Sequence, residues 1–152
     1  MKHFLILLTS VIFTYTLSIA QSTPEDSVKA TVNRLFEGMK NSDNSVIKDV
    51  FADSAILQTI GRNKEGQTII RTDAVSGFAD QIGKLPKGAA DERITFETVR
   101  IDGPLAIVWT PYKFYYDGKF SHCGVNSFQL VRVNGKWKIQ YLIDTRRRQG
   151  CE

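Results

Sequence analysis

The sequence predicts an α+β domain, with helices first and a meander of long strands after them. Three observations carry that expectation. Between Glu25 and Lys40 the apolar residues Val28, Val32, Leu35, Phe36 and Met39 recur at helical spacing and share one face. Beyond Asp91 the apolar period drops from about 3.6 residues to about 2 and keeps that value to the end of the chain. Asp117-Gly118 and Asn134-Gly135 each separate two such alternating runs. These dipeptides favour two-residue type I′ turns, so the strands they join must be consecutive and antiparallel.

In chain order, Ser22-Thr23-Pro24-Glu25 opens the first helix with a hydroxyl cap, a proline and an acid in the first turn. Asn41-Ser42-Asp43-Asn44 ends it, and a short second helix over about Ser45 to Val50 adds Val46, Ile47 and Val50 to the same core. Ala55–Ile60 and Gln67–Arg71 read as strands around the polar turn Gly61–Gly66. Thr72-Asp73 is the expected start of a third helix with Val75, Phe78, Ala79 and Ile82 as its apolar stripe, and Leu85–Asp91 reads as a loop. Four strands follow: Arg93–Ile101, Ala106–Tyr116, Lys119–Val133 and Lys136–Thr145. A twisted antiparallel sheet of this length curls, and three helices suffice to cover its concave face. The expected product is a cone with a pocket inside.

Residues 1–20 have the layout of a secretory signal: Lys2 and His3, an apolar run from Phe4 to Leu17, and the small-x-small pattern Ser18-Ile19-Ala20. The run falls short of the roughly 20 apolar residues that a span requires and is broken by Thr9, Ser10, Thr14 and Thr16, which argues against a stable membrane anchor. The expectation is therefore a signal peptide over residues 1–20, one exported domain over 21–152, and a periplasmic or secreted location. A formal net charge of +4 is spread along the chain apart from Arg146-Arg147-Arg148. Without a basic stripe interleaved with aromatics, nucleic acid is not an expected partner. Cys123 and the penultimate Cys151 either form a bridge that ties down the terminus or remain two separate thiols. His122 is the only histidine outside the leader, and no His, Cys and carboxylate spacing suggests a metal site or another cofactor.

The chain resembles the nuclear transport factor 2-like superfamily. The order of elements, the run DVFADSAIL (49–57) and the closing run NGKWKIQYLIDTRR (134–147) carry the likeness. HCGVNSFQLVRVNGKWKIQYLIDTRR (122–147) narrows it to exported bacterial proteins labelled SnoaL-like or "putative lumazine-binding". The resemblance covers residues 25–150 and implies the cone-shaped fold. That superfamily holds enzymes, adaptors and binding proteins alike, so the fold by itself assigns no chemistry. It also implies a homodimer formed sheet to sheet.

Candidate site residues follow from alternation. His122, Gly124, Asn126, Phe128 and Leu130 share one face of their strand, while Cys123 and Val125 share the other. On the closing strand Trp137 and Ile139 look like core, which sends Asp144 and Arg146 to the opposite face unless a bulge intervenes. If one does, Asp144 can pair with the His122 ring and raise its basicity, and Arg146 can hold an anionic or carbonyl group. Trp109 and Tyr112 are candidate apolar walls. The leading expectation is a binding protein for a small, partly apolar molecule, with polar contacts from His122, Asn126, Asp144 and Arg146. A lyase or isomerase with His122 as base, Asp144 as orienter and Arg146 as electrostatic stabiliser is the rival. An interaction module with a vestigial pocket is the third possibility. A structural hydrogen-bonded network is the plainest account of the same polar residues.

Overall fold

The computed structural model describes residues 23–151. The leader assigned to residues 1–20 lies outside them. Three helices and one seven-stranded sheet make up the described chain: α1 (Pro24–Lys40), α2 (Asn44–Val50), β1 (Phe51–Arg62), β2 (Thr68–Asp73), α3 (Val75–Ile82), β3 (Ala90–Ile94), β4 (Thr98–Asp102), β5 (Leu105–Tyr116), β6 (Lys119–Val133) and β7 (Lys136–Thr145). The strand order is β2-β1-β7-β6-β5-β3, with β4 also paired to β5. Only the β1–β7 pairing is parallel.

Local chemistry accounts for the helix starts. Thr23 and Asp26 form a reciprocal capping box, with Pro24 in the first turn. Asp43 caps α2 by accepting from the amides of Ser45 and Val46. In the two Xaa-Gly hairpins, Asp117, Gly118, Asn134 and Gly135 all have positive φ, as a type I′ turn demands.

The helices lie on one face of the sheet. Val28, Val32 and Leu35 of α1 and Ile47 of α2 are fully buried with Phe128, Leu130 and Ile139 of β6 and β7. Phe36 meets Phe128 edge to face at 6.2 Å between centroids. Burying each such side chain contributes roughly 1.5–3 kcal/mol. On the open face, Leu105, Ile107 and Trp109 remain exposed.

Several boundaries differ from those read in the sequence, among them the start of β1, which is Phe51 and not Ala55. Thr72 and Asp73 belong to β2, and α3 begins at Val75 after Ala74, which offers no side-chain cap. Pairing with β1 takes those two residues into the ladder, where they face Gln58 and Leu57. The single strand expected over Arg93–Ile101 is two, and β3 starts at Ala90, inside the expected loop. The break falls opposite Pro111, which has no amide to donate; Thr95 and Glu97 donate instead to the carbonyls of Pro111 and Trp109.

Between β6 and β7 the register shifts: Leu130 pairs with Ile139, and Gln129 with Tyr141. Gln140 is the extra residue. This bulge lets Trp137 and Ile139 share the helix-covered face with Leu142 and Asp144, all four buried. Cys123 and Cys151 are joined, with their Cα atoms 5.7 Å apart. Closing a loop with a sequence separation of 28 contributes roughly 3–4 kcal/mol in the chain-entropy account.

Candidate functional site

Adjacent strands line up four buried polar side chains in one row across the helix-covered face. Thr59 of β1 pairs with Asp144 of β7, Asp144 with Asn126 of β6, and Asn126 with Thr110 of β5. The next row inward is wholly apolar: Leu57, Leu142, Phe128 and Val108. Toward the other end of the strands, β3 contributes Glu92, paired with Phe114, which in turn pairs with His122.

These rows bound a cavity of about 260 Å³. Leu35, Phe36 and Met39 of α1 and Phe78 and Ile82 of α3 form its apolar side. The sheet supplies Thr59, Glu92, His122, Asn126, Asp144 and Arg146. His122, Asn126, Asp144 and Arg146, four of the residues singled out in the sequence, thus line one space. Trp109 does not. It lies on the open face, 44% exposed, because alternation along β5 buries Val108 and Thr110 and turns Trp109 away. Tyr112 is buried on the helix-covered face, but its hydroxyl is committed to Asp144 and to the Thr145 carbonyl, so it supports the site as a polar anchor.

Asp144 is fully occupied. Its Oδ1 accepts from Thr59 Oγ1 at 2.6 Å, and its Oδ2 accepts from Arg146 Nε at 2.8 Å and from the Tyr112 hydroxyl at 3.2 Å. The Thr59 hydroxyl also accepts from Arg146 Nη2 at 3.1 Å. Asp144 therefore orients Arg146. The couple of Asp144 with His122 considered from the sequence is not formed. His122 Nδ1 lies 3.1 Å from Ser121 Oγ, and its ring packs at 5.0 Å on Phe114 and edge-on to Tyr112 at 5.7 Å. Burial and the nearby Arg146 charge hold the imidazole below its ordinary value, outweighing the pull of Asp144, so the ring is neutral at neutral pH. Tyr112 is pushed far up by burial and by the Asp144 and Glu92 charges, and it remains a hydroxyl donor.

Glu92 is the residue that sequence reasoning missed. Its Oε1 accepts from Asn126 Nδ2 at 2.7 Å. Burial raises its carboxyl to about 7; the Asn126 bond opposes that rise, Asp144 adds to it and Arg146 counters it. A carboxyl of this kind exchanges its proton near neutral pH, so it can both donate and accept there. The signal was the alternation Ala90, Glu92, Ile94, hidden by starting the strand three residues too late. Thr59 was missed as well, although it lies one alternation beyond Leu57 on β1.

Arg146 keeps its outer guanidinium edge free, with its side chain 48% exposed. Burial weighs against its charge, but the bond to Asp144 more than offsets this and holds its pKa above the usual value. Asn126 retains its Oδ1 as an acceptor. The arrangement offers, on one wall, a fixed cation, an amide acceptor, a neutral imidazole and a carboxyl titrating near neutrality. Among the described residues no group of three or more His, Cys, Asp and Glu side chains gathers in a way that could hold a metal.

No curated protein sequence matches the chain. Solved structures do match in fold. A nuclear transport factor 2-like protein of unknown function from Shewanella baltica aligns with a TM-score of 0.63 at 16% identity, over 80% of this chain and 91% of that one. A domain with a cystatin-like fold from Nostoc punctiforme gives 0.64 at 15% identity, over 84% and 80%. A nuclear transport factor 2-like protein from Methylobacillus flagellatus gives 0.62 at 14% identity, over 87% and 99%. Residues 23–141 match the family described as "Putative lumazine-binding". The chain belongs to that family, and its fold is the one shared by these nuclear transport factor 2-like and cystatin-like structures.

Proposed function

We propose that the protein is an exported binding protein for a small, partly apolar molecule, held inside a cone formed by the helices and the sheet. The observation that carries this reading is the division of one cavity into an apolar helical side and a sheet wall bearing Glu92, His122, Asn126 and Arg146. Ligand pockets of this type are mostly apolar, with a few convergent polar groups that fix orientation. A volume of about 260 Å³ lies at the lower edge of the usual range of roughly 300–1,000 Å³, which favours a one- or two-ring ligand over a nucleotide or a steroid. The donor and acceptor sequence on the wall suits a planar nitrogen heterocycle with an imide-like edge. Lumazine, the ligand in the family's description, has that chemistry and is the natural first probe.

Export to the periplasm or beyond is part of the proposal, resting on the layout of residues 1–20 and agreeing with the Cys123–Cys151 bridge, since disulfides persist in oxidising compartments. So is a homodimer through the open sheet face, where Leu105, Ile107 and Trp109 are exposed. Among the described residues no helix is long and apolar enough to cross a membrane.

One observation favours a second reading. Glu92, with its pKa near 7, is matched to proton transfer at neutral pH, so an isomerase or lyase would use Glu92 as its acid–base, with Arg146 steadying developing negative charge. His122, which has no carboxylate partner here, would be secondary.

The test is a fluorescence titration of lumazine with the disulfide-bonded protein. Binding should saturate and weaken about tenfold or more in Arg146→Gln and in Asn126→Leu, with folding checked by circular dichroism. Equal affinity in the wild type and both variants would overturn the assignment. Conversion of the bound heterocycle, lost in Glu92→Gln, would establish the enzymatic reading.

A further inference from the structure

A second cavity, of about 330 Å³, opens at the same end of the sheet, and the register of the strands explains its lining. Arg93 of β3 pairs with Lys113 of β5, Lys113 pairs with Cys123 of β6, and Cys123 forms a bridge with Arg147 in the tail. One row across four chain segments therefore carries three cations and a half-cystine. Neighbouring strands lie about 4.8 Å apart, so Arg93 and Lys113 are adjacent and Arg147 stands about two strand spacings from Lys113. Like charges directly opposite on paired strands destabilise a sheet. Among the described residues the only carboxylate in a salt bridge with the row is Asp91, bound to Arg93 and also to Lys40. Among the described residues Lys113 and Arg147 have no salt bridge.

The cations are held in place before any ligand arrives. Arg147 is fixed at both backbone groups: its amide donates to the Cys123 carbonyl at 2.8 Å, and its carbonyl accepts from Cys123 at 2.9 Å. Its Nε donates to the Gly150 carbonyl at 3.1 Å, and the Cys123–Cys151 bridge closes the loop that presents it. Both terminal guanidinium nitrogens remain free. Arg93 lies over the Tyr115 ring at 4.2 Å and binds Asp91 through Nε and Nη2, leaving Nη1. Guanidinium forks match the planar or tetrahedral oxygens of carboxylates and phosphates, and a lysine between them adds a point charge.

We propose that this row is a second binding site, separate from the helix-side cavity, for a compact oxyanion carrying two or more negative charges. Such an anion relieves the repulsion along the row and occupies the donors that Arg93, Lys113 and Arg147 leave unused. A phosphate group and a polycarboxylate share this chemistry.

Isothermal titration calorimetry on the disulfide-bonded protein, at constant low ionic strength, tests the proposal with inorganic phosphate in one arm and citrate in the other. Saturable one-to-one binding in at least one arm is expected, weakened about tenfold or more by Lys113→Gln and by Arg147→Gln. Binding should be unchanged in Lys119→Gln, a cation outside the row. Both row residues are exposed, so these variants should melt as the wild type does. The arm that binds identifies the oxyanion as phosphate or carboxylate. Absence of saturable heat in both arms overturns the proposal. So does an equal loss in Lys119→Gln, which would reduce the effect to diffuse attraction. Lumazine binding is read separately, so the two sites stand or fall independently.

Discussion

Two neighbouring rows on the helix-covered face run across the same four strands and do opposite work. Leu57, Leu142, Phe128 and Val108 make a dry row that fastens the helices to the sheet. Thr59, Asp144, Asn126 and Thr110, one alternation further along, make a row just as deeply buried but polar throughout. The first is stabilised by removing apolar surface from water. The second is tolerable only because most of its members find hydrogen-bond partners, Thr110 excepted. A polar row placed beside a dry one, at the edge of a cavity, is the arrangement on which the proposed recognition role rests.

The largest expected effect is in the dry row. Phe128→Ala, at a fully buried position, should cost about 3–5 kcal/mol in denaturant unfolding, since the cavity it leaves cannot collapse between α1 and the sheet. A loss under about 1 kcal/mol would mean that this row does not anchor the helices.

Asp144→Ala comes next. It leaves Thr59, Tyr112 and Arg146 without their shared acceptor. Because Arg146 is half exposed, the loss should be about 2–3 kcal/mol, below that of a fully buried pair. It should also abolish ligand binding by releasing Arg146. Stability lost with full binding retained would make the polar row structural only.

Glu92→Gln should act in the opposite direction. The folded carboxyl titrates near 7, above its ordinary 4.5, so the folded protein keeps a proton that the unfolded chain has already released. Glu92 therefore costs no stability below about 4.5 and makes folding progressively less favourable as pH rises to about 7. Removing it should stabilise the protein by up to roughly 3 kcal/mol above neutral pH and by nothing in acid. His122 has the reverse sign: its lowered value means stability is present above its ordinary 6.5 and lost as pH falls. Melting temperatures of wild type and Glu92→Gln across pH separate the two, since only the alkaline-side loss should vanish.

The smallest effect belongs to Thr110→Val. The Thr110 hydroxyl is buried without a hydrogen-bond partner among the described residues. Replacing it with an isosteric methyl should be neutral or stabilising by up to about 1 kcal/mol. A clear destabilisation would show that the hydroxyl is satisfied in solution, and the polar row would then be complete on all four strands.

How much of this was legible follows from where the chain obeys a single period. β6 was readable to the residue, and β7 from its first residue, because Gly-containing I′ turns fix both ends of β6 and the start of β7. The shared face of His122, Asn126 and Phe128 followed from plain alternation. Asp144 could be placed only conditionally, because the bulge at Gln140 has no sequence signature and a shift of one residue reverses every side chain after it. Glu92 was hidden by a strand that begins before its apolar pattern does. The contacts of Asp144 were also beyond sequence reading. Thr59 and Tyr112 come from β1 and β5 and Arg146 from the segment just after β7, and only the register of the folded sheet decides that they, and not His122, meet that carboxylate. Trp109 was misassigned because an aromatic-rich strand looks equally well packed on both faces.

The most direct test of the division between the two rows is a crystal structure of the protein grown with lumazine. The account predicts a ring system in the helix-side cavity with its polar edge on Arg146, Asn126 and Glu92 and its other edge against Phe36, Phe78 and Met39. A cavity filled by side chains, or a ligand lying only on the open face of the sheet, would contradict it.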